Sequence, residues 1–385
     1  MRGDEARHRG ARSVADGEPV RAAGPAAPDE TGRAGRRPPR PTIADVAALA
    51  GVSPAAVSFA VNDRPGVAEA TRRRILDAAE ELGWRPSAHA RALTEARARA
   101  IGLVLARSIE QLEVDPFFVR FLAGVERALA PTDHALVLRV VAEVDLDAYA
   151  RFAAAGRVDG FLLTDPELDD PRFDLLAAAG LPVVVAGHPA SPCPFPHVET
   201  QHGRGIAAIV EHLVGLGHRH VAFVGGFARY EHVQVRLRVW RETLTAAGLV
   251  PGPVAHATPA DPAGAAATAG VLQADPRPTA IVYGSDMLAV TGLAAARERG
   301  IAVPGELSIT GFDDSPLAAL SSPPLTSARI DYAAFGEAAA AALLAAIAGG
   351  PAPAFHPAPP ELVVRGSTTQ PRARPTVLRQ RENPK

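Results

Sequence analysis

The stretch TIADVAALAGVSPAAVSFAVNDRPGVAEATRRRILDAAEELGWRPSAHARAL, residues 42–93, decides how the rest of the chain is read. Thr42 is suited to cap a helix whose apolar residues Ile43, Val46, Ala47 and Ala50 fall on one face. Gly51 supplies a turn. Ser53 then caps a second helix with Pro54 at its first position, where the missing N–H costs nothing. Val57, Ala60 and Val61 face inward on that helix, and Ser53, Ala55, Ala56, Ser58, Phe59 and Asn62 stay outside. After a loop over residues 63–67, a third helix over 69–82 carries Ile75, Leu76, Ala79 and Leu82 on the face that closes a small core. Helices one and two form a helix-turn-helix, and the second has the size that enters a DNA major groove. Pro86 opens a last segment, 87–93, too short to be stable as an isolated helix.

The residues Thr42-Ile43-Ala44-Asp45-Val46-Ala47, Ala50-Gly51-Val52-Ser53, Val57-Ser58 and Asn62 resemble the DNA-binding headpiece of the lactose-repressor (LacI/GalR-type) family. So do the run 71–82 with Gly83 and the group Arg85-Pro86-Ser87-Ala88. The resemblance implies a sequence-specific transcriptional regulator, most often a repressor, whose operator affinity is controlled by a small-molecule effector. It implies DNA contacts from Thr42, Ser53, Ala55, Ala56, Ser58, Phe59, Asn62, Arg91 and Leu93. Segment 87–93 corresponds to the family's hinge helix, which orders on operator DNA and pairs with that of a dimer mate. Leu93 takes the place of the leucine wedged into the minor groove, where apolar side chains kink DNA by partial unstacking. Two departures fall on the reading helix. Ala56 stands where many members have Thr, and Phe59 where many have Arg. Loss of that Arg removes the commonest bidentate contact to guanine, so an unusual operator half-site is expected.

Composition sets the outer limits. The chain has 385 residues, room for two or three domains, with 47% hydrophobic and 21% charged residues. Its formal net charge is −2, so no whole-molecule field draws it to DNA. Between residues 42 and 99 there are 8 Arg against 7 Asp or Glu, so phosphate binding rests on local clustering, of which Arg72-Arg73-Arg74 is the clear case. Lysine occurs only at Lys385, a sign that arginine is used wholesale and that arginine clusters deserve a discount. The single cysteine, Cys193, rules out an intrachain disulfide framework and suits a reducing cytoplasm. No apolar run reaches the roughly 18 residues of a membrane span, and a signal-peptide pattern is missing. A cytoplasmic, nucleoid-associated location is expected.

Residues 1–40 lack apolar periodicity and are expected to be a disordered extension, followed by the helix-turn-helix domain over 41–85 and the hinge and linker over 86–98. From Arg99 the pattern changes. Strand-like runs at 101–105, 135–141, 160–163 and 182–186 alternate with helix-like runs at 118–129, 146–155 and 173–179. After a Pro-rich connection the alternation restarts, with strands at 221–224, 254–257, 280–283, 307–311 and 361–365. Helices are expected at 203–216, 233–247, 263–272, 287–299 and 335–348. Such alternation predicts parallel sheets covered by helices on both faces. The fold class is therefore an all-α headpiece plus an α/β domain of two Rossmann-like lobes over 99–370, which binds effector and dimerises, with a disordered tail over 371–385. Ligands of such lobes sit at the carboxyl ends of the strands. The resemblance implies the same architecture, that of periplasmic sugar-binding proteins. The tail lacks a leucine heptad, so a homodimer on near-palindromic double-stranded DNA is expected and a zipper-linked tetramer is not.

The search for catalysis is negative. Gly225-Gly226 lacks the glycine pattern of a dinucleotide site, and no nucleophile elbow occurs. His212, His218 and His220 are close in sequence without an evident carboxylate partner, so no metal site is expected, nor any cofactor. The pair Asp313-Asp314 is the one catalytic-dyad candidate. The alternatives are a transporter's solute-binding protein, which would need export and no headpiece, and a cleft enzyme acting on a sugar. The resemblance assigns effector contacts to Asp313 and Arg236. The run Asp115-Pro116-Phe117-Phe118 matches a family motif, with Phe118 expected to line the cleft as a platform, and His188 and Ser285 are expected at the cleft as well. A guanidinium fork at Arg236 suits vicinal hydroxyls, a carboxylate or a phosphate. Ser285 for Asn, Gly187-His188 for Asp-Arg, Ile330 for a polar residue and Val239 for Gly are departures. They predict a pocket poorer in polar contacts than an ordinary sugar site.

Overall fold

The computed structural model describes residues 41–85, 97–190, 192–258 and 263–372, the side chains of Glu110 and Val114 apart. The expected extension over 1–40, the hinge helix with Arg91 and Leu93, and the tail beyond residue 372 lie outside the described residues. The chain divides into two compact units, residues 1–87 and 88–385.

In the first unit, α1 is Ile43–Ala50, α2 is Pro54–Val61 and α3 is Glu69–Glu81. Thr42 and Asp45 form a reciprocal cap, in which the Asp45 amide donates to the Thr42 hydroxyl at 3.4 Å and the Thr42 amide donates to the Asp45 carboxylate at 2.7 Å. Gly51 takes φ +62°, a left-handed conformation that ends α1 and that a side chain would strain. Ser53 accepts from the Ala56 amide at 3.2 Å and starts α2. Val46, Ala47, Ala50, Val57, Ala60, Ile75, Ala78 and Ala79 make the core, with Leu82 and Trp84 packed alongside. The expected face of α3 needs one correction. Leu76 is 48% exposed. Successive helical residues point about 100° apart, so Ile75 and Leu76 do not share a face, and Ala78 fills the place three residues on.

The second unit has two lobes. In the first, β1 (Ala100–Ala106), β2 (Ala135–Val141), β3 (Gly160–Thr164), β4 (Val183–Ala186) and β5 (His197–Val198) form one parallel sheet in the order β2-β1-β3-β4-β5. The central strands are apolar runs because both faces are covered. Helices α4 (Ile109–Val114), α5 (Pro116–Leu129), α6 (Leu146–Ala154) and α7 (Arg172–Ala179) alternate with them. Ile101, Leu103, Phe121 and Leu162 belong to one core, and Val104, Tyr149, Phe161 and Leu176 to the other.

The second lobe begins with α8 (His202–Gly215), β6 (Val221–Gly225), α9 (Glu231–Ala246), β7 (Val254–His256) and α10 (Ala263–Val271). It continues through β8 (Ala280–Tyr283), α11 (Asp286–Glu298), β9 (Ser308–Thr310), α12 (Pro316–Leu320) and β10 (Ser327–Arg329). Its parallel sheet has the order β7-β6-β8-β9. The chain then returns to the first lobe as α13 (Tyr332–Ile347) and comes back once more as β11 (Glu361–Val363), antiparallel to β10. Helix α13 lies against α5 at backbone contact. A Cβ on Gly124 would stand 1.9 Å from the Ala333 carbonyl oxygen, and one on Gly336 would stand 2.1 Å from that of Phe121. Glycine at both crossing points is what allows this approach.

His218 is buried, with its ring nitrogens bonded to Thr279 Oγ1 at 2.8 Å, Ser308 Oγ at 3.1 Å and the Thr369 carbonyl at 2.9 Å. It ties the turn before β6 to β9 and to the segment that follows β11. Four short elements, α4, β5, α12 and β10, have no counterpart in the sequence reading. Among the described residues no single helix is long and apolar enough to cross a membrane.

Candidate functional site

In the first unit the outer side of α2 carries Ser53, Ala55 and Phe59 exposed, and Ala56, Ser58 and Asn62 half-buried. Phe59 is 41% exposed, its ring lying beside Gly66 of the following loop. Asn62 donates to the Ser58 carbonyl at 2.9 Å, which ties the two side chains to one edge of the helix. Thr42 is exposed, and its hydroxyl donates to Asp45 at 2.8 Å. Of the arginine triplet, Arg72 pairs with Asp63 and donates to the Arg64 carbonyl at 3.2 Å, clamping α3 to the loop after α2. Arg73 and Arg74 are exposed. The outer face of α2 thus mixes alanine and a phenylalanine ring with small polar groups, and Arg73 and Arg74 on α3 add two exposed guanidinium groups to the unit.

In the second unit a cavity of about 360 Å³ opens between the lobes at the carboxyl ends of their strands. Arg107 follows β1, Asp165 follows β3, and Asp115 caps α5 by accepting from the Phe117 amide at 3.0 Å. From the other lobe come His202 at the start of α8, His232 and Arg236 on α9, Ser285 at the cap of α11 and Asp313 after β9. Tyr332, where α13 begins, completes the wall.

Two charge clusters face one another. In the first, Arg107 bonds Asp165 at 2.9 Å and stacks 4.4 Å from the Tyr230 ring centroid, with His232 3.7 Å from Asp165. In the second, the Arg236 guanidinium lies 4.0 Å from the Phe312 ring centroid, donates to the Gly284 carbonyl and to His202 Nδ1, and is 3.8 Å from Asp313. Tyr332 donates to Asp313 at 2.6 Å. Burial pushes Asp313 up to about 8, against the pull of Arg236 and with a further push from Asp286 and Asp115. Burial raises Asp115 as well, against the pull of Arg107. Burial first and Arg236 second hold His202 and His232 well below the ordinary imidazole range, so both rings are neutral at pH 7. The buried Nε of Arg107 and of Arg236, and the hydroxyls of Thr200 and Ser315, have no partner among the described residues. A cleft with unspent donors, neutral imidazoles and the aromatic walls of Phe117, Phe227 and Tyr332 is equipped to hold a ligand rich in hydroxyl groups.

Arg236, Asp313, Ser285 and His188 all line this cavity. Ser285 also spends its hydroxyl as the α11 cap, accepting from the Leu288 amide at 3.3 Å. Phe118 does not line it. It is 3% exposed in the core, and its neighbour Phe117 takes the wall position, because one helical step turns the side chain away from the cleft. The cavity wall mixes charged and polar groups with apolar ones. Ile330 and Val239 pack against the core, away from the cavity, while Asp115 of the family motif lines it together with Arg107, Asp165, His202 and His232, four polar groups with no counterpart among the expected contacts. Arg107 and Asp165 carried one usable signal, as polar residues directly after buried parallel strands. The adjacent carboxylates also separate. Asp313 faces the cavity, whereas Asp314 accepts from Arg329 at 2.7 Å and Arg365 at 2.6 Å, so the two do not form a shared-proton pair.

Comparison with known proteins follows the two units. The model of bacterial regulatory proteins of the lacI family matches residues 42–87, and that of a periplasmic binding protein-like domain matches residues 210–368. The HTH-type transcriptional regulator MalR of Streptomyces coelicolor is 34% identical over 340 residues, covering 85% of this chain and 96% of the relative. A transcriptional regulator CelR–cellobiose complex is similar in structure at TM-score 0.65 and 30% identity, covering 85% of this chain and 100% of that one. The lac repressor dimer bound to operator and the anti-inducer ONPF is similar at TM-score 0.75 and 26% identity, covering 85% and 99%.

Proposed function

Because the chain belongs to the lacI family of bacterial regulatory proteins, we propose that it acts as an effector-controlled repressor, with α2 reading operator DNA and the cleft around Arg236 and Asp313 holding a sugar or a related polyol. The observation that carries the effector assignment is the arrangement of Arg236, His202, Asp313 and Tyr332. These four groups are held to one another in the cavity wall, with unspent donors on Arg107 and Arg236 beside them. Hydroxyl pairs are bound by such fixed donor and acceptor sets, and aromatic faces cover the apolar side of a pyranose ring. A relative captured with cellobiose supports the ligand class.

In this reading Thr42, Ser53, Ala55, Ala56, Ser58, Phe59 and Asn62 meet DNA, and Phe59 offers its ring to a thymine methyl in place of a guanidinium fork to guanine. Arg73 and Arg74 meet phosphate. Arg91 and Leu93, outside the described residues, serve the minor groove. The protein works as a homodimer in the cytoplasm, since a two-fold protein reads a two-fold site. Selection of bound DNA from a random pool is the test. A near-palindrome whose half-sites carry A·T pairs opposite Phe59 is the expected outcome, and no enrichment after repeated rounds would overturn the assignment.

A further inference from the structure

At the rim of the cavity, on the first lobe, three metal-binding side chains converge away from the charge clusters described above. Strands β4 and β5 pair in parallel with Ala186 opposite Val198, and the Gly187 amide donates to the Val198 carbonyl at 2.8 Å. That register brings His188, two residues past β4, level with the end of β5. Residues alternate between faces along a strand. His197 and Glu199 therefore share one face, while Val198 between them is buried. His188 Nδ1 stands 2.8 Å from Glu199 Oε2, and the His188 and His197 rings meet edge to face at 5.7 Å between centroids. One ligand atom from each of the three residues lies within 4.8 Å of the others.

We propose that His188, His197 and Glu199 form a binding site for a divalent first-row transition-metal ion of the zinc or nickel class. Two imidazoles and a carboxylate are the donor set such ions take, and three protein ligands leave a coordination position open. Donors about 2 Å from a tetrahedral zinc stand about 3.3 Å apart. The His188–Glu199 pair is already inside that spacing, and His197 reaches it by a side-chain rotation that its exposure permits. The site differs from the effector cleft in its chemistry, since it needs no hydroxyl-rich ligand. It touches the cleft through His188 and Glu199, which line both. Glu231, from the second lobe, lines the same wall and is buried. An ion held here places positive charge against that carboxylate across the cleft.

The alternative is a plain hydrogen bond between two surface side chains with a third nearby, and titration separates the two. The full-length protein, stripped with chelator, is titrated with Zn2+ and separately with Ni2+ by isothermal calorimetry. His188→Ala, His197→Ala and Glu199→Gln are compared with His256→Ala as a surface-histidine control. One equivalent of micromolar or tighter affinity is expected in the native chain, lost in His188→Ala and in His197→Ala, weakened in Glu199→Gln and intact in His256→Ala. All three residues are exposed, so circular dichroism of the variants should match the native chain. Absence of micromolar binding in the native protein overturns the site, and so does an equivalent that survives both histidine substitutions. Neither result bears on DNA binding or on the sugar assignment, which are tested separately.

Discussion

Burial sets the protonation of Asp313, and with it a dependence of stability on pH that one substitution isolates. Its carboxyl is pushed from 3.8 to about 8. A group whose folded value lies above its unfolded value holds its proton more tightly when folded, so its contribution is complete below about pH 4 and is lost as pH rises through about 8. Asp313→Asn keeps an acceptor for the Tyr332 hydroxyl and removes the ionisation. The melting temperature of the native chain minus that of Asp313→Asn should fall steadily from pH 4 to pH 8 and level off above. A difference that is flat or rises over this window would mean that Arg236, 3.8 Å away, holds Asp313 ionised in spite of its burial. Asp314, next in sequence, makes two close ion pairs with Arg329 and Arg365. Nothing in the doublet itself distinguishes these roles. They follow from left-handed backbone at both residues, φ 101° and 47°, which turns the side chains to different neighbours.

The headpiece helices were readable because their ends are written locally. Caps at Thr42 and Ser53, the Gly51 turn and Pro54 at a first helical position each act within a few residues, and the structure has each of them in place. Four elements escaped notice because length defeats periodicity. Strand β5 has two residues, β10 has three, and α4 and α12 have six and five. The face of α3 slipped by one residue at Leu76 because alanine, which fills the buried place at Ala78, is a weak periodic marker. Ser53→Ala removes the hydroxyl that accepts from the Ala56 amide, and losing such a cap costs about 1 kcal/mol. Amide hydrogen exchange in α1 to α3 should accelerate by about fivefold, with exchange in the two lobes unchanged. Equal protection in α2 would show that packing of Val57 and Ala60, rather than the cap, holds the helix.

Across the whole molecule the alternation of strands and helices was enough to predict two parallel-sheet lobes, but not which residues meet between them. The cavity joins residues from 107 to 335 because the chain passes between lobes after β5, again before α13 and again before β11. Arg107 and Asp165 come from one sheet, Arg236 and Asp313 from elements of the other lobe, and Tyr332 from a helix that returns to the first. No local pattern announces that assembly. The same topology couples the cavity to lobe placement. A ligand that touches Arg107 and Asp165 on one side and Arg236 and Asp313 on the other has a different affinity for each relative placement of the lobes. It shifts their equilibrium by no more than that difference. If lobe placement also sets operator affinity, the coupling is reciprocal. For an operator recovered by selection, with cellobiose as the first ligand tried from a disaccharide panel, saturating ligand should change the operator dissociation constant by some factor. Saturating operator should change the ligand's by the same factor, on the order of 5 to 150. Arg236→Ala should abolish both changes while leaving ligand-independent operator binding within about twofold. A ligand that binds the cleft tightly and moves operator affinity by less than twofold would break the link between the cavity and DNA, although each site would stand on its own.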